Sequence, residues 1–467
     1  MGDDIRAGEL LAMGWEQGPC IGEALRCAAG MPRVEALRHL EAVLKDHEPY
    51  LGHERFGGLA RMLAESESPD ELASLDEALG RFGVWGRDGI DRATVEQMAA
   101  AARIPPAIQG ALMPDAHLGY GLPIGGVLAL DNAVMPYGVG VDIACRMMLT
   151  VLPLPPSDID VREDALRAAI EKHTRFGLAA AFRRGERRRH AVMDRDWSAV
   201  DGIVGMDTVW DQLGSSGGGN HFVDIGEIEF AKPFGGTPAG RYVAILTHSG
   251  SRGLGSKVAN HFTRIAQARH PSLPAAFRRL AWLSLDDGDG QAYWAAMELA
   301  GEYASANHHC IHAGLMQELG LEPLVQVENH HNFAWREAHG GREVIVHRKG
   351  ATPAGKGVLG VIPGSMATPG YLVRGKGNPA SLDSAAHGAG RTMSRTAARE
   401  AHDWPSVREQ LRAGNVRLIS GGLDEVPGAY KPIGEVMSAQ DDLVEVVARF
   451  DPRLVKMAED SGPRRRE

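Results

Sequence analysis

The chain has 467 residues, 44% of them hydrophobic, and carries 50 Lys and Arg against 60 Asp and Glu, a net charge of −10. That length supports a large core and two or three domains, while the acidic balance excludes broad, non-specific coating of nucleic acid and leaves room only for a localised basic surface. Four cysteines (Cys20, Cys27, Cys145, Cys310) beside the acidic opening Met1-Gly2-Asp3-Asp4 argue against export and a disulfide framework, and no run of eighteen apolar residues offers a membrane span, so a reducing, cytoplasmic setting is expected.

Residues 1–82 read as a helical N-terminal extension. Gly8 to Met13 leads to the breaker Gly18-Pro19, Ile21 to Leu25 restarts the pattern, and Val34 to Leu44 is amphipathic with a period near 3.6. From residue 83 to 467 the texture changes. β-Branched runs such as Tyr242 to Leu246 and Glu343 to Val346 alternate with Gly-rich loops, and 58 glycines make an eighth of the chain. These runs read as buried strands that carry polar ligands at their ends.

One dense basic run, Arg183-Arg184-Gly185-Glu186-Arg187-Arg188-Arg189-His190, is either a solvated face or a surface for a phosphate backbone. The segment from Glu298 to Gln317 reads as a helix and contains His308, His309, Cys310 and His312. His308 and His312 share a helix face, but no carboxylate completes the zincin pattern, so the group is read as structural. The tail Arg464-Arg465-Arg466 is expected to be disordered.

The chemistry-bearing strings come between these elements. Gly138-Val139-Gly140-Val141-Asp142-Ile143-Ala144-Cys145 sets a carboxylate and a thiol on one Gly-rich turn. Gly217-Gly218-Gly219-Asn220-His221-Phe222, Thr247-His248-Ser249-Gly250-Ser251-Arg252-Gly253 and Glu328-Asn329-His330-His331-Asn332 add imidazoles. One carboxylate, one thiolate and three imidazoles suit a borderline transition metal such as Mn, Zn, Fe or Co. Their spread over the chain is unlike a zinc finger, whose ligands cluster locally. Taken singly, each is as well explained as a core residue.

Last comes Ser384-Ala385-Ala386-His387-Gly388-Ala389-Gly390-Arg391-Thr392-Met393-Ser394-Arg395. Its glycines allow close backbone approach to an anion, and Arg391 and Arg395 can add charge-assisted hydrogen bonds. An imidazole there can act as a nucleophile toward phosphorus, or simply be a structural histidine beside a turn.

Together the strings resemble the RtcB family of RNA-splicing ligases. The resemblance rests on Met113-Pro114-Asp115-Ala116-His117-Leu118-Gly119, the Asp142/Cys145 turn, Gly219 to Phe222 and His248 to Gly253. It continues through His331-Asn332, Arg348-Lys349-Gly350-Ala351, Ile362 to Met366, His387 to Arg391 and Ala429-Tyr430-Lys431, in family order over about residues 84–457.

The resemblance implies an α+β catalytic fold with packed β-sheets surrounded by helices, preceded here by the helical extension. It makes Asp142, Cys145, His221, His248 and His331 ligands of two Mn²⁺ ions, with the Cys145 thiolate bridging. GTP would be held by Asn220, His221, Phe222, Asp224, His331, Asn332, Pro363, Gly364, Ser365, Met366, Gly388, Ala389, Gly390, Tyr430 and Lys456. His387 would accept GMP, pass it to an RNA 3′-phosphate derived from a 2′,3′-cyclic end, and the 5′-hydroxyl of a second RNA end would displace it. The partners implied are RNA ends, in tRNA splicing or RNA repair. The extension is expected to brace the core rather than to bind RNA or a second subunit.

The chain departs from the family pattern at Asp224 (commonly Glu), Arg146 (Gly), Tyr120 (often Lys), Gly370 (often a hydroxyl residue) and the ending Val455-Lys456-Met457. Arg146 is expected to narrow the site or meet an RNA phosphate. Two other readings are a metal-dependent phosphoesterase and an RNA-end-binding paralogue without ligase activity. The first leaves His387 and the anion-cradling glycines without a role, and the second sits poorly with six intact ligand and nucleophile positions.

Overall fold

The computed structural model describes residues 5–15, 19–67 and 72–460. The acidic opening tetrapeptide, Gly18 of the breaker and the Arg464 to Arg466 tail lie outside them. The chain divides into two compact units, the first made of the described residues up to Leu72 with Gln267–Arg278, the second of Ala73–Ala266 with the described residues from Arg279 onward.

The first unit is helical. Its longest N-terminal helix, Arg33–Lys45, buries Ala36, Leu40 and Val43, a spacing of four and three that makes one helix face. That face joins Leu10, Trp15, Ala24, Phe56 and Leu59 in a core of its own.

The second unit is built on two main sheets, so the architecture is mixed helix and sheet. One sheet has five strands in the order Phe82–Val84, Ala107–His117, Ile124–Leu130, Arg342–Lys349, Asn332–His339. The other has eight: Leu359–Ile362, Gly370–Gly375, Val444–Met457, Phe222–Phe230, Gly240–Ser249, Arg146–Val151 and Val325–His330 in order, with Arg417–Ser420 added on Val444–Met457. His331 is the single residue between a strand of the large sheet and one of the small sheet.

Strand alternation decides what each face of the large sheet does. Val223, Ile225, Val243 and Ile245 face the helices Glu163–His173 and Gly288–Leu319 through Leu166, Ile170, Ile311 and Leu315. Ala244 and Leu246 face the other way and pack with Met147, Leu149 and Phe450. His248, two residues on from Leu246, shares that second face. Among the described residues no helix is long and apolar enough to cross a membrane.

Candidate active site

A cavity of about 740 Å³ opens on this second face, lined in part by Phe222, Asp224, Leu246, His248 and Phe450 from the large sheet. The expected metal residues converge on it from the ends of strands. Asp142 and Cys145 precede the strand Arg146–Val151, His221 precedes Phe222–Phe230, His248 nearly ends Gly240–Ser249, and His331 joins the two sheets. Ala144, just before the cysteine, is held in the left-handed region at φ +56°. Its N–H donates to Asn332 O at 2.6 Å, a strained placement of the kind that local function retains.

Cys145 Sγ lies 3.4 Å from His221 Nε2 and 3.0 Å from His248 Nε2. His248 Nε2 is 3.2 Å from His331 Nε2, and His221 Nε2 is 2.9 Å from Asp142 Oδ2. Backbone carbonyls set two of the tautomers: Ser216 O accepts from His221 Nδ1 at 2.9 Å, and Asn220 O accepts from His248 Nδ1 at 3.0 Å. Both Nε2 atoms therefore turn lone pairs toward Cys145 Sγ, that of His221 also toward the Asp142 carboxylate and that of His248 toward His331 Nε2. Acceptors packed against acceptors suit a cation.

The potential ligand atoms form two groups, Asp142/Cys145/His221 and Cys145/His248/His331, each within 4.8 Å, so the cysteine belongs to both. Burial holds His248 neutral, its pKa pushed down to about 3, and drives His331 well below the usual range with help from neighbouring His387. Burial also raises the Cys145 thiol, and nearby Asp142 raises it further. At Asp142 burial pulls upward, but the His221 hydrogen bond and charge outweigh it and leave the carboxyl below its ordinary value. Each of the two groups has the residue types to hold a metal ion.

His387 stands beside this cluster, its ring centroid 4.8 Å from that of His331. The buried carboxylate of Asp115 holds it: Oδ2 accepts from His387 Nδ1 at 2.6 Å, from the His387 N–H at 3.1 Å and from the Gly388 N–H at 3.3 Å. With Nδ1 committed as donor, Nε2 keeps the lone pair. Gly390 sits at φ +74° where a Cβ would strike the backbone of Asp115, so only glycine allows this approach. Asp115 lies in the Met113 to Gly119 string that carried the resemblance but had received no role. A carboxylate in a His-rich motif was the available signal, and its partner 272 residues away was not visible from sequence.

Of the expected nucleotide contacts, Asn220, Phe222, Asp224, His331, Asn332, Pro363, Gly364, Ser365, Met366, Gly388, Ala389, Gly390 and Tyr430 all line the cavity. Lys456 does not. It neighbours Met457 on the strand Val444–Met457, so alternation points it to the other face, where Nζ pairs with Glu171 at 3.3 Å and lies 5.6 Å over the Phe176 ring. Asp224 is buried with Oδ1 unpartnered, and burial raises its carboxyl well above the usual range.

The arginines after His387 are already engaged. Arg391 Nη1 meets Glu425 at 2.8 Å and Nη2 donates to Asp424 O at 2.7 Å, while Arg395 Nε meets Glu425 at 2.8 Å. The expectation for Arg146 is corrected: its buried guanidinium turns to Glu328 at 3.2 Å and to Gly301 O, away from the cavity. Part of the basic run is likewise spent internally. Arg187 binds Asp207 and Asp211, and Arg188 lies 4.3 Å over the Phe182 ring, which leaves Arg183, Arg184 and Arg189 at the surface.

His308 and His312 are core residues, as read. Thr247, adjacent to His248 but on the opposite face, contacts His308 Nδ1 at 2.7 Å and His312 Nε2 at 2.8 Å. Thr150 engages the remaining nitrogen of His312 at 2.7 Å, and Ser249 O that of His308 at 3.2 Å.

Comparison with known proteins gives the family. The family model described as tRNA-splicing ligase RtcB matches residues 97–204 and 204–457. The chain belongs to the RtcB family. It is 34% identical over 387 residues to the RNA-splicing ligase RtcB of Escherichia coli K12, covering 75% of this chain and 91% of that one. To the RNA-splicing ligase RtcB of Mycobacterium tuberculosis it is 33% identical, covering 76% and 98%. To the tRNA-splicing ligase RtcB of Thermococcus kodakarensis it is 29% identical, covering 77% and 90%.

Proposed function

We propose that this RtcB-family protein is an RNA ligase that joins an RNA end bearing a 2′,3′-cyclic phosphate or 3′-phosphate to a 5′-hydroxyl end, using GTP and two Mn²⁺ ions. RNA-ligase activity is the reading that family membership supports; the GTP and histidine chemistry is carried by one observation. A histidine with Nδ1 tied to a buried aspartate presents Nε2 beside a Cys/His/Asp cluster on a cavity wall.

Mn²⁺ held by Asp142, Cys145, His221, His248 and His331 would supply positive charge for the triphosphate and for phosphorus in transit. Asp115 keeps the His387 ring oriented and its Nδ1 proton in place while Nε2 forms a P–N bond to the α-phosphorus of GTP. Pyrophosphate leaves with the electrons of the broken P–O bond. A cyclic RNA end, opened by water to its 3′-phosphate, then takes GMP from His387. The 5′-hydroxyl of the second end attacks that phosphate, GMP departs, and the strand is sealed. Positioning and electrostatics supply most of the acceleration in such transfers. A tRNA-splicing role and an RNA-repair role share this chemistry, in a cytoplasmic setting. A simple phosphoesterase would leave the Asp115–His387 pair idle.

Incubation with α-labelled GTP and Mn²⁺, then denaturing electrophoresis, tests the reading. Label should remain on the wild-type chain, be lost in mild acid as a P–N bond is, and never appear on His387→Ala. His309→Ala, on an exposed helix position, should label normally. Acid-stable label, or label on His387→Ala, rejects the mechanism.

A further inference from the structure

The wall of the cavity formed by the small sheet carries a second constellation that the ligase steps above do not use. Tyr120 follows the strand Ala107–His117 in a tight loop and is 63% exposed, yet it lines the cavity that contains His387. An exposed aromatic ring on a floppy loop would mean little. This loop is fastened. The side-chain amide of Gln97 donates to Gly119 O at 2.8 Å and Gly121 O at 2.9 Å, and its oxygen accepts from the Gly119 N–H at 3.1 Å. Gly121, at φ +72°, runs so close to the backbone of Arg279 that a Cβ there would lie 2.7 Å from Arg279 O.

The side chains complete the picture. The Arg279 guanidinium lies 4.3 Å over the Tyr120 ring and 5.7 Å from the Tyr137 ring centre, with no carboxylate partner among the described residues. It covers one face of Tyr120, whose side chain stays largely exposed. Lys349, on the adjoining strand Arg342–Lys349, is 8% exposed. Its ammonium donates to Tyr120 O and, at 3.2 Å, to Tyr137 O, and lies 5.2 Å over the Tyr137 ring. Among the described residues no carboxylate balances it. Burial, with the nearby Arg279, pulls its pKa down to about 7, and because it borders the cavity an anion arriving there would favour its charged form.

A rigid aromatic face backed by a guanidinium, next to an unbalanced ammonium, has the chemistry of a nucleotide subsite: a base stacks and a phosphate pairs. We propose that Tyr120 and Arg279 form a stacking platform for a nucleobase of the RNA end, and that Lys349 receives the adjoining phosphate. This rests on the RNA-ligase reading above. It assigns RNA to the small-sheet wall at Tyr120 and Lys349, while the expected GTP contacts Phe222 and Asp224 belong to the large sheet and Asn332, paired with Lys349, lies where the two subsites meet.

The test is a thermodynamic cycle on RNA binding that needs no GTP. A fluorescent oligoribonucleotide with a 3′-phosphate is titrated into wild type, Tyr120→Phe and Tyr120→Ala, and the titration is repeated with an RNA whose terminal residue is abasic. Stacking of one base is worth on the order of tenfold in affinity. Removing the base should therefore weaken wild type about tenfold. Tyr120→Ala should weaken intact RNA by a similar factor and show no further loss with the abasic strand, while Tyr120→Phe should behave as wild type. Lys349→Met should weaken RNA with a 3′-phosphate more than RNA with a 3′-hydroxyl.

Unchanged affinity in Tyr120→Ala, or an abasic penalty equal in wild type and variant, overturns the platform. So does a higher KM for GTP in Tyr120→Ala with RNA affinity untouched, which would give the ring to GTP. Self-labelling of the same wild-type preparation reports separately on the ligase reading. Its failure rejects that reading, while the binding cycle still decides whether Tyr120 stacks on RNA.

Discussion

Asp115 and His387 lie 272 residues apart in the chain and meet through a 2.6 Å hydrogen bond. The same carboxylate oxygen also accepts the backbone N–H groups of His387 and Gly388, so it holds the ring and the turn that carries it. A carboxylate used in this way sets which ring nitrogen faces the phosphorus. Asp115→Asn keeps the size but offers an amide N–H toward Nδ1, favouring the wrong tautomer or rotating the side chain away from the backbone donors. Self-labelling from GTP should slow by about two orders of magnitude, the usual scale for a misplaced acid–base group. GTP binding, followed by displacement of a fluorescent analogue, should stay within about threefold on the standing scatter of such comparisons. Normal labelling in Asp115→Asn removes the positioning role.

Cys145 belongs to both potential ligand groups, whereas Cys310 belongs to neither. Cys145→Ala should lose both metals together, and elemental analysis after anaerobic loading with Mn²⁺ measures this directly. Cys310→Ala should retain them. Loading should also raise the wild-type melting temperature, since a ligand at about a hundred times its Kd adds roughly 2.7 kcal/mol to stability, and that rise should vanish in Cys145→Ala. Equal metal loss in the two variants means the wrong cysteine has been chosen.

The proposed separation of the N-terminal helices from the chemistry is testable by deletion. No described residue of the first compact unit lines the cavity. A chain beginning at Ala73, with Gln267–Arg278 replaced by a short Gly/Ser linker, should fold and label His387 at a near-normal rate. Starting at Val84 is a poorer choice, because Phe82–Val84 is a strand paired with Gly110 to Leu112. A soluble, metal-binding deletion that fails to label defeats the idea.

Asp224 gives a stability prediction with a defined sign. Burial raises its carboxyl well above 3.8 in the folded chain, so between about pH 4 and the folded pKa the native state keeps a proton that the unfolded state has released. Stability then falls as pH rises through that window, by at most about 1.4 kcal/mol per pH unit. Asp224→Asn cannot ionise and should lack this slope, so its melting temperature should gain on wild type as the pH rises from about 4 toward the raised folded pKa. Parallel melting curves across that range exclude a protonated Asp224.

Residue identity and motif order determined a good deal by themselves: the family, the five candidate ligand residues, the proposed nucleophile, and the helical character of the N-terminal extension. Those features are local strings or helical periodicity, and both are written along the chain. What the tertiary structure decided is which way neighbouring side chains point and which distant ones meet. In the large sheet a step of one residue reverses the face. His248 therefore enters the Cys/His/Asp cluster while Thr247 ties down His308 and His312, and Met457 reaches the cavity while Lys456 turns to Glu171. Arg146, one position past the thiol, is directed to Glu328 for the same reason. Alternation is visible in a sequence, but the face that becomes a cavity is not, because it depends on where the other sheet packs. The contacts Asp115–His387 and Arg279–Tyr120 need whole sheets and loops to come together, which no local pattern encodes.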